Sequence, residues 1–345
     1  MPDNSAPTRF DGHMDLIGLD PRNVDGITAE GIAEVIDAAR QAEPGGAAPT
    51  SAETVRLHKR FGWGEQRADW LSVARVDDRI VGSATMMFPP RSNRHLAYVW
   101  ISVHPEHQRH GIGSTLLRAA EEVALANGRR SLVGFTARGG AGAAFAGARG
   151  FEPGLDNAIR RLDLAGVDPA RWEEHRTTAL ERADGYELVR VLGPSDDALL
   201  ADLTPLFAAI NDAPTGDLDI EPDAFDPSSI RAYEQAMADR DQTMYRVLAR
   251  RRSDGEWAGH TIALVDRHVP QWAAQEDTSV VPDHRGHRLG LAMKADLLVW
   301  LAEAEPQLEW IQTWNAESNR HMLAVNETMG FVLFARTIEH QKALT

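Results

Sequence analysis

The chain has 345 residues, of which 43% are hydrophobic and 25% charged, and a formal net charge of -15. A single hydrophobic core seldom grows beyond about 250–300 residues, so this length predicts two domains. The acidic balance argues against non-specific binding of nucleic acid. The absence of cysteine excludes disulfides, cysteine-ligated zinc and an acyl-cysteine intermediate.

The amino-terminal segment, residues 1–13, has neither the basic region nor the apolar core of a signal peptide. We expect a flexible tail there and a cytoplasmic protein. No apolar run approaches the roughly 20 residues that cross a bilayer, so no membrane association is predicted.

Residues 14–165 form the first predicted domain. Two strand-like runs separated by a polar turn, "WLSVARVDDRIVGSATMMF", are followed by a third strand, "HLAYVWISV". Then come the glycine-containing turn "HPEHQRHGIG", an amphipathic helix, the strand "SLVGFT" and a short helix that ends in "GARGF". Residues 166–185 are polar and predict a helical connector.

Residues 186–345, the second predicted domain, repeat this order of elements. The offset that aligns Pro105 with Pro282 also aligns Gln108 with Arg285 and Gly113 with Gly290. The second half therefore reads as a diverged copy of the first, as internal repeats do.

A strand that enters a glycine-containing turn and then a helix directs several backbone N–H groups and the positive helix end at one point. This arrangement predicts an anion site. The turn lacks the third glycine of a dinucleotide fingerprint, and the chain has no phosphate-binding loop of the G-x-x-x-x-G-K-S/T type. His104, His107 and His110 leave metal binding as a minor alternative, and a turn without a ligand is another.

The segment Gln108–Gly113, "QRHGIG", resembles the acyl-CoA-binding motif Q/R-x-x-G-x-G/A of the GNAT N-acetyltransferase superfamily. The second copy, "RGHRLG", matches except that Arg288 replaces a glycine, and "NAESNRHMLAVNETMGF" is similar to the family's next motif. The resemblance covers nearly the whole chain as a tandem pair, an architecture like that of mycothiol synthase.

This resemblance implies an α/β fold of two tandem GNAT-like domains, each a mixed, mostly antiparallel sheet flanked by helices. It also implies acetyl-CoA as the acyl donor and no metal. The residues it assigns to the coenzyme are Val103, Gln108, Arg109, His110, Gly111, Ile112 and Gly113 in the first domain, and Val281, Arg285, Gly286, His287, Arg288, Leu289, Gly290 and Asn319 in the second.

Two departures from the family pattern bear on catalysis. The tyrosine that often protonates the leaving thiolate is replaced by Ala146 in the first copy and Asn326 in the second. An alkylammonium acceptor must also lose a proton before it attacks, which costs about 4–5 kcal/mol at pH 7 without a base. Only the second central strand carries carboxylates, Glu276 and Asp277, and a solvated strand entrance is the alternative interpretation of this pair. The first central strand offers only His95 and Tyr98.

We therefore expect an acyl-CoA-dependent N-acyltransferase that transfers acetyl to a small amine by direct attack. Glu276 and Asp277 are the candidate catalytic residues, with the chemistry in the second domain. The acidic segment "NDAPTGDLDIEPDAF" favours a cationic acceptor, with ordinary solvated surface as the alternative. A non-catalytic acyl-CoA-binding sensor or scaffold is the rival function. The expected assembly is a monomer, as an internal pseudo-dimer, or a homodimer.

Overall fold

The computed structural model describes residues 14–43, 50–165 and 167–345. The predicted tail at residues 1–13 and Gly166 of the predicted connector lie outside these ranges. The strands within them are β1 (Met14–Leu19), β2 (Ala68–Val76), β3 (Arg79–Met87), β4 (Leu96–Val103), β5 (Ser131–Ala137), β6 (Glu152–Asp163), β7 (Tyr186–Leu192), β8 (Gln242–Arg251), β9 (Trp257–Asp266), β10 (Trp272–Val280), β11 (Trp310–Ala316) and β12 (Val332–Ala343).

The helices in the same ranges are α1 (Gly26–Gln41), α2 (Ala52–Phe61), α3 (Ile112–Ala126), α4 (Ala141–Ala148), α5 (Ala170–Arg182), α6 (Asp197–Ala208), α7 (Pro227–Asp239), α8 (Leu289–Ala304) and α9 (Arg320–Met329). No helix in the described ranges is long and apolar enough to cross a membrane.

The chain divides into two compact units. The first unit contains the described residues up to Gly62, then Gln66–Gly154 and Ile338–Thr345. The second unit contains Trp63–Glu65 and Leu155–Thr337. Each unit has the order of strands and helices that the repeat predicts, and the mixed α/β fold is confirmed.

In the first unit, β1, β2, β3 and β4 pair antiparallel in sequence order, and β5 joins β4 in parallel. Successive side chains of a strand point to opposite faces of the sheet. On β2, Leu71 and Val73 therefore pack with buried residues of α1 and α2. The alternate Ala74 and Val76 pack with α3 on the other face.

In the second unit the strand order is β6-β11-β10-β9-β8-β7. Strands β10 and β11 pair in parallel, whereas β6–β11, β9–β10, β8–β9 and β7–β8 pair antiparallel. Ile262 and Leu264 of β9 pack with α6 and α7 in one hydrophobic cluster. Ala263 and Val265 pack with α8 in another. The predicted connector forms α5, which is held to α8 by a 2.9 Å hydrogen bond from Arg176 to Asp296.

The strand that follows α4 belongs mainly to the second unit, and the last residues of the chain belong to the first unit. Residues 157–163 of β6 come shortly after α4 of the first unit, yet they pair with β11 of the second. The last residues of the chain join the first unit, where Ser131 donates to the backbone carbonyl of Lys342 (3.2 Å). The units therefore differ from the expected boundaries at residues 165 and 186, because strand pairing and not chain order determines which residues pack together.

Candidate active site

The turn between β4 and α3 has the geometry of an anion site. Arg109 and Gly111 both adopt left-handed backbone conformations, with φ of 66° and 86°. Gly111 is the N-cap residue of α3, and no side chain caps this helix end. A Cβ built on Gly111 meets no atom within 4 Å. Among the described residues, the space beside Gly111 is therefore open, and an anion there could accept from the N–H groups of the helix N-terminus.

The turn between β10 and α8 follows the same backbone path with its glycine at a different position. Gly286 has φ of 86° and Arg288 has φ of 58°, so the left-handed positions match those of Arg109 and Gly111. The left-handed conformation costs a residue other than glycine about 1–2 kcal/mol of conformational free energy, because its Cβ comes close to a backbone carbonyl oxygen. Each turn contains one arginine and one glycine at these two positions, in opposite order. Arg288 thus departs from the motif without changing the path of the turn.

The residues that begin the two motifs make equivalent hydrogen bonds. Gln108 donates through Nε2 to the carbonyl of Val103 (3.2 Å), and Arg285 donates through Nε to the carbonyl of Val280 (3.0 Å). These bonds tie each turn to the end of its central strand. Arg285 also pairs with Asp212 (2.5 Å), an interaction that the shorter side chain at position 108 does not reproduce.

Some of the other residues predicted to bind the coenzyme have side chains that are buried or already hydrogen-bonded within the protein. The side chains of Ile112 and Leu289 are buried in the cores, with 2% exposure each. Asn319 caps α9 through its side-chain oxygen, which accepts from the N–H of Met322 (3.2 Å). The remaining predicted positions, His110, Gly113, Val281, His287 and Gly290, lie within the two turns or at the first residues of the helices that follow.

A gap opens in each sheet beside the turn. Strands β4 and β5 pair only over Leu96–Val99 and Ser131–Gly134. Strands β10 and β11 pair only over 272–274 and 310–312. Beyond these pairs, the edge of each central strand that faces its parallel neighbour has backbone groups able to pair with an extended ligand that ends at the turn.

Glu276 and Asp277 lie at an irregularity of the second central strand. Gln275 pairs with Ala263 and Thr278 pairs with Thr261, so the two carboxylates stand opposite a single residue of β9. This is the two-against-one count of a β-bulge, which often redirects side chains next to active sites. In the first unit, β3 and β4 pair from Gly82–Val103 to Met87–Tyr98 without interruption.

The surroundings raise the pKa of both carboxyls by different amounts. Burial, and then the charge of Asp277, raises the pKa of Glu276 to about 8, while Arg240 opposes this shift. Burial and the charge of Asp223 raise the pKa of Asp277 to about 6. Within the described residues, the Oε1 atom of Glu276 is buried without a hydrogen-bond partner. Two carboxyls with separated pKa values are characteristic of acid–base sites.

An aromatic group lies beside these carboxyls. The ring of Tyr233 in α7 stacks on Trp63, with centroids 6.4 Å apart and an interplanar angle of 11°. The guanidinium of Arg240 lies 4.5 Å from the centroid of the Trp63 ring. Burial, followed by the charges of Glu276 and Asp277, raises the pKa of the Tyr233 hydroxyl, so this hydroxyl remains protonated. Sequence reasoning missed all three residues, because none belongs to the repeated motif.

The corresponding part of the first unit has aromatic rings where the second has carboxylates. Trp100 of β4 stacks on Phe135 of β5, with centroids 5.8 Å apart and an interplanar angle of 8°. Tyr98 lies 6.3 Å from the same Phe135 ring. His95 precedes β4, at the end away from the turn. The two residues at the family's tyrosine position, Ala146 in α4 and Asn326 in α9, are both buried. The side-chain amide of Asn326 donates to the side-chain oxygen of Asn315 (2.7 Å).

Comparisons with known proteins agree with this geometry. Residues 32–151 match the model of the acetyltransferase (GNAT) family. The tandem GNAT protein from the clavulanic acid biosynthesis pathway, whose structure was solved without acetyl-CoA, is 25% identical. It aligns over 96% of this chain and 99% of its own, with a TM-score of 0.79. A search of curated proteins gives no match.

Two more distant structures share the fold. A GCN5-related N-acetyltransferase from Sphaerobacter thermophilus is 16% identical over 95% of this chain and 96% of its own, with a TM-score of 0.66. A putative acetyltransferase from Pyrococcus horikoshii is 14% identical over 100% and 94%, with a TM-score of 0.56. The chain as a whole therefore shares the fold of a tandem GNAT protein, and its residues 32–151 are similar to the acetyltransferase (GNAT) family.

Proposed function

We propose that the chain is an acyl-CoA-dependent N-acyltransferase that acetylates a small cationic amine in its second unit. The observation that carries this proposal is the bulge of β10, which places Glu276 and Asp277 beside the gap that leads to the turn. The first unit has an equivalent gap and turn but no carboxylate on its central strand.

The donor fits both turns. Its diphosphate would lie at the uncapped N-terminus of α3 or α8, where the glycine-containing turns leave open space. Its extended arm would pair with the free edge of β4 or β10. Acetyl-CoA supplies an acyl group on a thiol leaving group whose pKa of about 8.5 permits departure as thiolate near neutral pH. This limits the consequence of having Asn326 where relatives have a tyrosine.

Asp277 is the stronger candidate for the general base. With a pKa of about 6 it is mostly ionised at pH 7 and can accept the proton of the acceptor ammonium. Glu276, with a pKa of about 8, is mostly protonated at that pH. The charge on Asp277, together with that of the nearby Asp223, attracts a cation and not an anion. Tyr233 and Trp63 provide flat apolar surface beside the same carboxyls.

The test is thiol release from acetyl-CoA in the presence of a panel of amines. Asp277→Asn should lower turnover by about 10²–10⁴-fold, the usual contribution of a general base, with acetyl-CoA affinity unchanged by calorimetry. Asp184→Asn is the matched control, because Asp184 is an exposed carboxylate in the turn after α5. Normal turnover in both Asp277→Asn and Glu276→Gln, combined with loss in Tyr98→Phe, would move the chemistry to the first unit.

One observation favours a second role for the first unit alone. Its turn is intact, but its central strand carries aromatic side chains in place of carboxylates. Binding of acyl-CoA without transfer to a free amine is the function that this combination supports. Calorimetry with acetyl-CoA should then give two sites per chain, of which Gly111→Val removes one.

A further inference from the structure

Lysine is rare in this chain, with three among its 36 basic residues. Lys294 is buried in the core of the second unit, with 1% exposure and its Nζ 5.6 Å from the centroid of the Phe331 ring. Lys342 is paired with Glu121 (2.5 Å). Lys59 is half-buried, and within the described residues it has no carboxylate partner. It is thus the one described lysine whose amine is neither ion-paired nor enclosed in a core.

Lys59 is held in place beside the gap of the first unit. It lies in the last turn of α2, and its Nζ donates to the hydroxyl of Thr85 on β3 (2.7 Å). Thr85 pairs with Trp100 of β4, the first residue beyond the pairing with β5. Directly paired residues on neighbouring strands have Cβ atoms about 4.5–5.5 Å apart. The amine of Lys59 therefore lies at β3, the strand next to β4, at the level where the gap between β4 and β5 begins.

We propose that Lys59 is a self-acylation site, at which the first unit transfers an acyl group from a bound acyl-CoA to its own chain. This inference rests on the proposed binding of acyl-CoA at the first turn. The lone pair of Nζ attacks the thioester carbonyl carbon, the N–C bond forms and the C–S bond breaks. Coenzyme A leaves as thiolate, and the amine proton passes to the thiolate or to water.

The surroundings of Lys59 favour the reactive form of its amine. Burial, followed by the charge of Arg40, lowers the pKa of Lys59 to about 8. At pH 7 the fraction of free amine is then on the order of 10²-fold larger than for a lysine with a pKa of about 10.4. The hydrogen bond to Thr85 uses an N–H group and leaves the nitrogen lone pair available. The first unit thus has a nucleophile beside its gap although its strand has no base.

The experiment uses the full chain with acetyl-CoA and no amine, followed by intact-mass measurement and peptide mapping. We expect one acetyl group, located on Lys59. Lys59→Arg should lose this adduct and keep its acetyl-CoA affinity, whereas the matched Lys342→Arg should retain the adduct. Thr85→Val keeps the amine but removes its anchor, and should acetylate more slowly. Gly111→Val should abolish the acetyl-CoA adduct while Lys59 still reacts with an aryl acetate, which needs no coenzyme site.

Two results would overturn the inference. The first is an unmodified Lys59 in a chain whose first turn binds acetyl-CoA by calorimetry, which would leave the proposed transfer in the second unit untouched. The second is acetylation of Lys342 or the amino terminus to the same extent as Lys59, which would indicate unspecific chemistry. If calorimetry instead shows no acetyl-CoA binding at all, both this inference and the proposed function fail.

Discussion

Arg285 is paired with Asp212 in the second unit, at the motif position that Gln108 occupies in the first. If the second turn holds the diphosphate of acetyl-CoA as proposed, Asp212 neutralises a guanidinium that could otherwise contact that diphosphate. Asp212→Asn should therefore tighten acetyl-CoA binding at the second turn. An exposed pair contributes about 0.2–1 kcal/mol, so the expected gain in affinity is about 1.4- to 5-fold, and it should shrink with added salt.

Calorimetry on Asp212→Asn and on Asp217→Asn, an exposed acidic residue of the same segment, measures this effect. Equal affinities in both variants would mean that Arg285 does not contact the diphosphate.

Arg288 should destabilise the second turn slightly. Arg288 has a left-handed backbone conformation (φ of 58°). This conformation costs about 1 kcal/mol of folding free energy for a residue with a Cβ but not for glycine. Arg288→Gly should raise the midpoint of thermal unfolding of the second unit by about 2–4 °C. In Gly111→Ala the added methyl group meets no neighbouring atom, so only the cost of the left-handed backbone remains. This substitution should lower the midpoint of thermal unfolding of the first unit. Calorimetric scans would contradict this strain argument if Arg288→Gly lowered the midpoint.

Glu276 should make the folding stability depend on pH. Its pKa is about 8 in the folded chain against an ordinary value of 4.5, so the folded state binds the proton more tightly. The resulting stabilisation is complete below about pH 4.5 and is lost as the pH rises through 8. Glu276→Gln imitates the protonated form and should leave stability nearly unchanged at pH 5 but raise it at pH 8.5. Urea unfolding at the two pH values measures this, and an equal difference at both would refute the raised pKa.

The second unit also contains an ion pair whose loss should be costly. Glu234 and Arg246 are fully buried and 2.6 Å apart, and Glu234 also accepts from the hydroxyl of Ser195 (2.8 Å). Glu234→Ala leaves an unpaired buried guanidinium and should cost about 3–5 kcal/mol of unfolding free energy. Asp254→Ala, which breaks the exposed pair with Arg251, should lower the unfolding free energy far less. Comparable losses of unfolding free energy in both variants would show that burial does not make the Glu234–Arg246 pair more costly to break than an exposed pair.

The features that sequence analysis predicted are those encoded locally. The glycine-containing turns and the helices that follow them are indicated by spacing within a few dozen residues, and the two-fold repeat by the likeness of two such stretches. Glu276 and Asp277 could be predicted because the repeat identifies the second central strand, on which they lie. The bulge that separates Glu276 and Asp277 from regular pairing was not predicted, because it depends on the register with β9.

Long-range pairing could not be read from the chain. Residues 157–163 read NAIRRLD, and nothing in this local pattern selects β11 as the partner strand. The same holds for Trp63, which follows α2 in the sequence but packs with Tyr233 in the second unit. A tryptophan between two glycines reads only as a loop. Its contribution to the candidate site depends on tertiary contacts that no local propensity specifies.

Gly64 is the residue that allows Trp63 to reach Tyr233. Its φ is 74°, and a Cβ built there would lie 2.8 Å from the backbone nitrogen of Tyr233. Gly64→Ala should therefore displace the segment, and Trp63→Ala should remove the stacked ring without disturbing the backbone. If this ring forms a wall for the acceptor, both variants should raise KM for the amine by about 3–10-fold, the equivalent of an aromatic contact, and leave acetyl-CoA affinity unchanged.

Trp257→Ala is the matched control, because Trp257 also has an arginine, Arg250, 5.2 Å from its ring centroid. It begins β9, about five residues along the strand from the bulge, or about 16 Å. If Trp257→Ala raises KM for the amine equally, Trp63 has no specific role in acceptor binding. The same conclusion follows if Trp63→Ala changes the unfolding midpoint and leaves KM unchanged. A rise confined to Trp63→Ala and Gly64→Ala would instead show that a segment between α2 and β2 helps the second unit to select its amine.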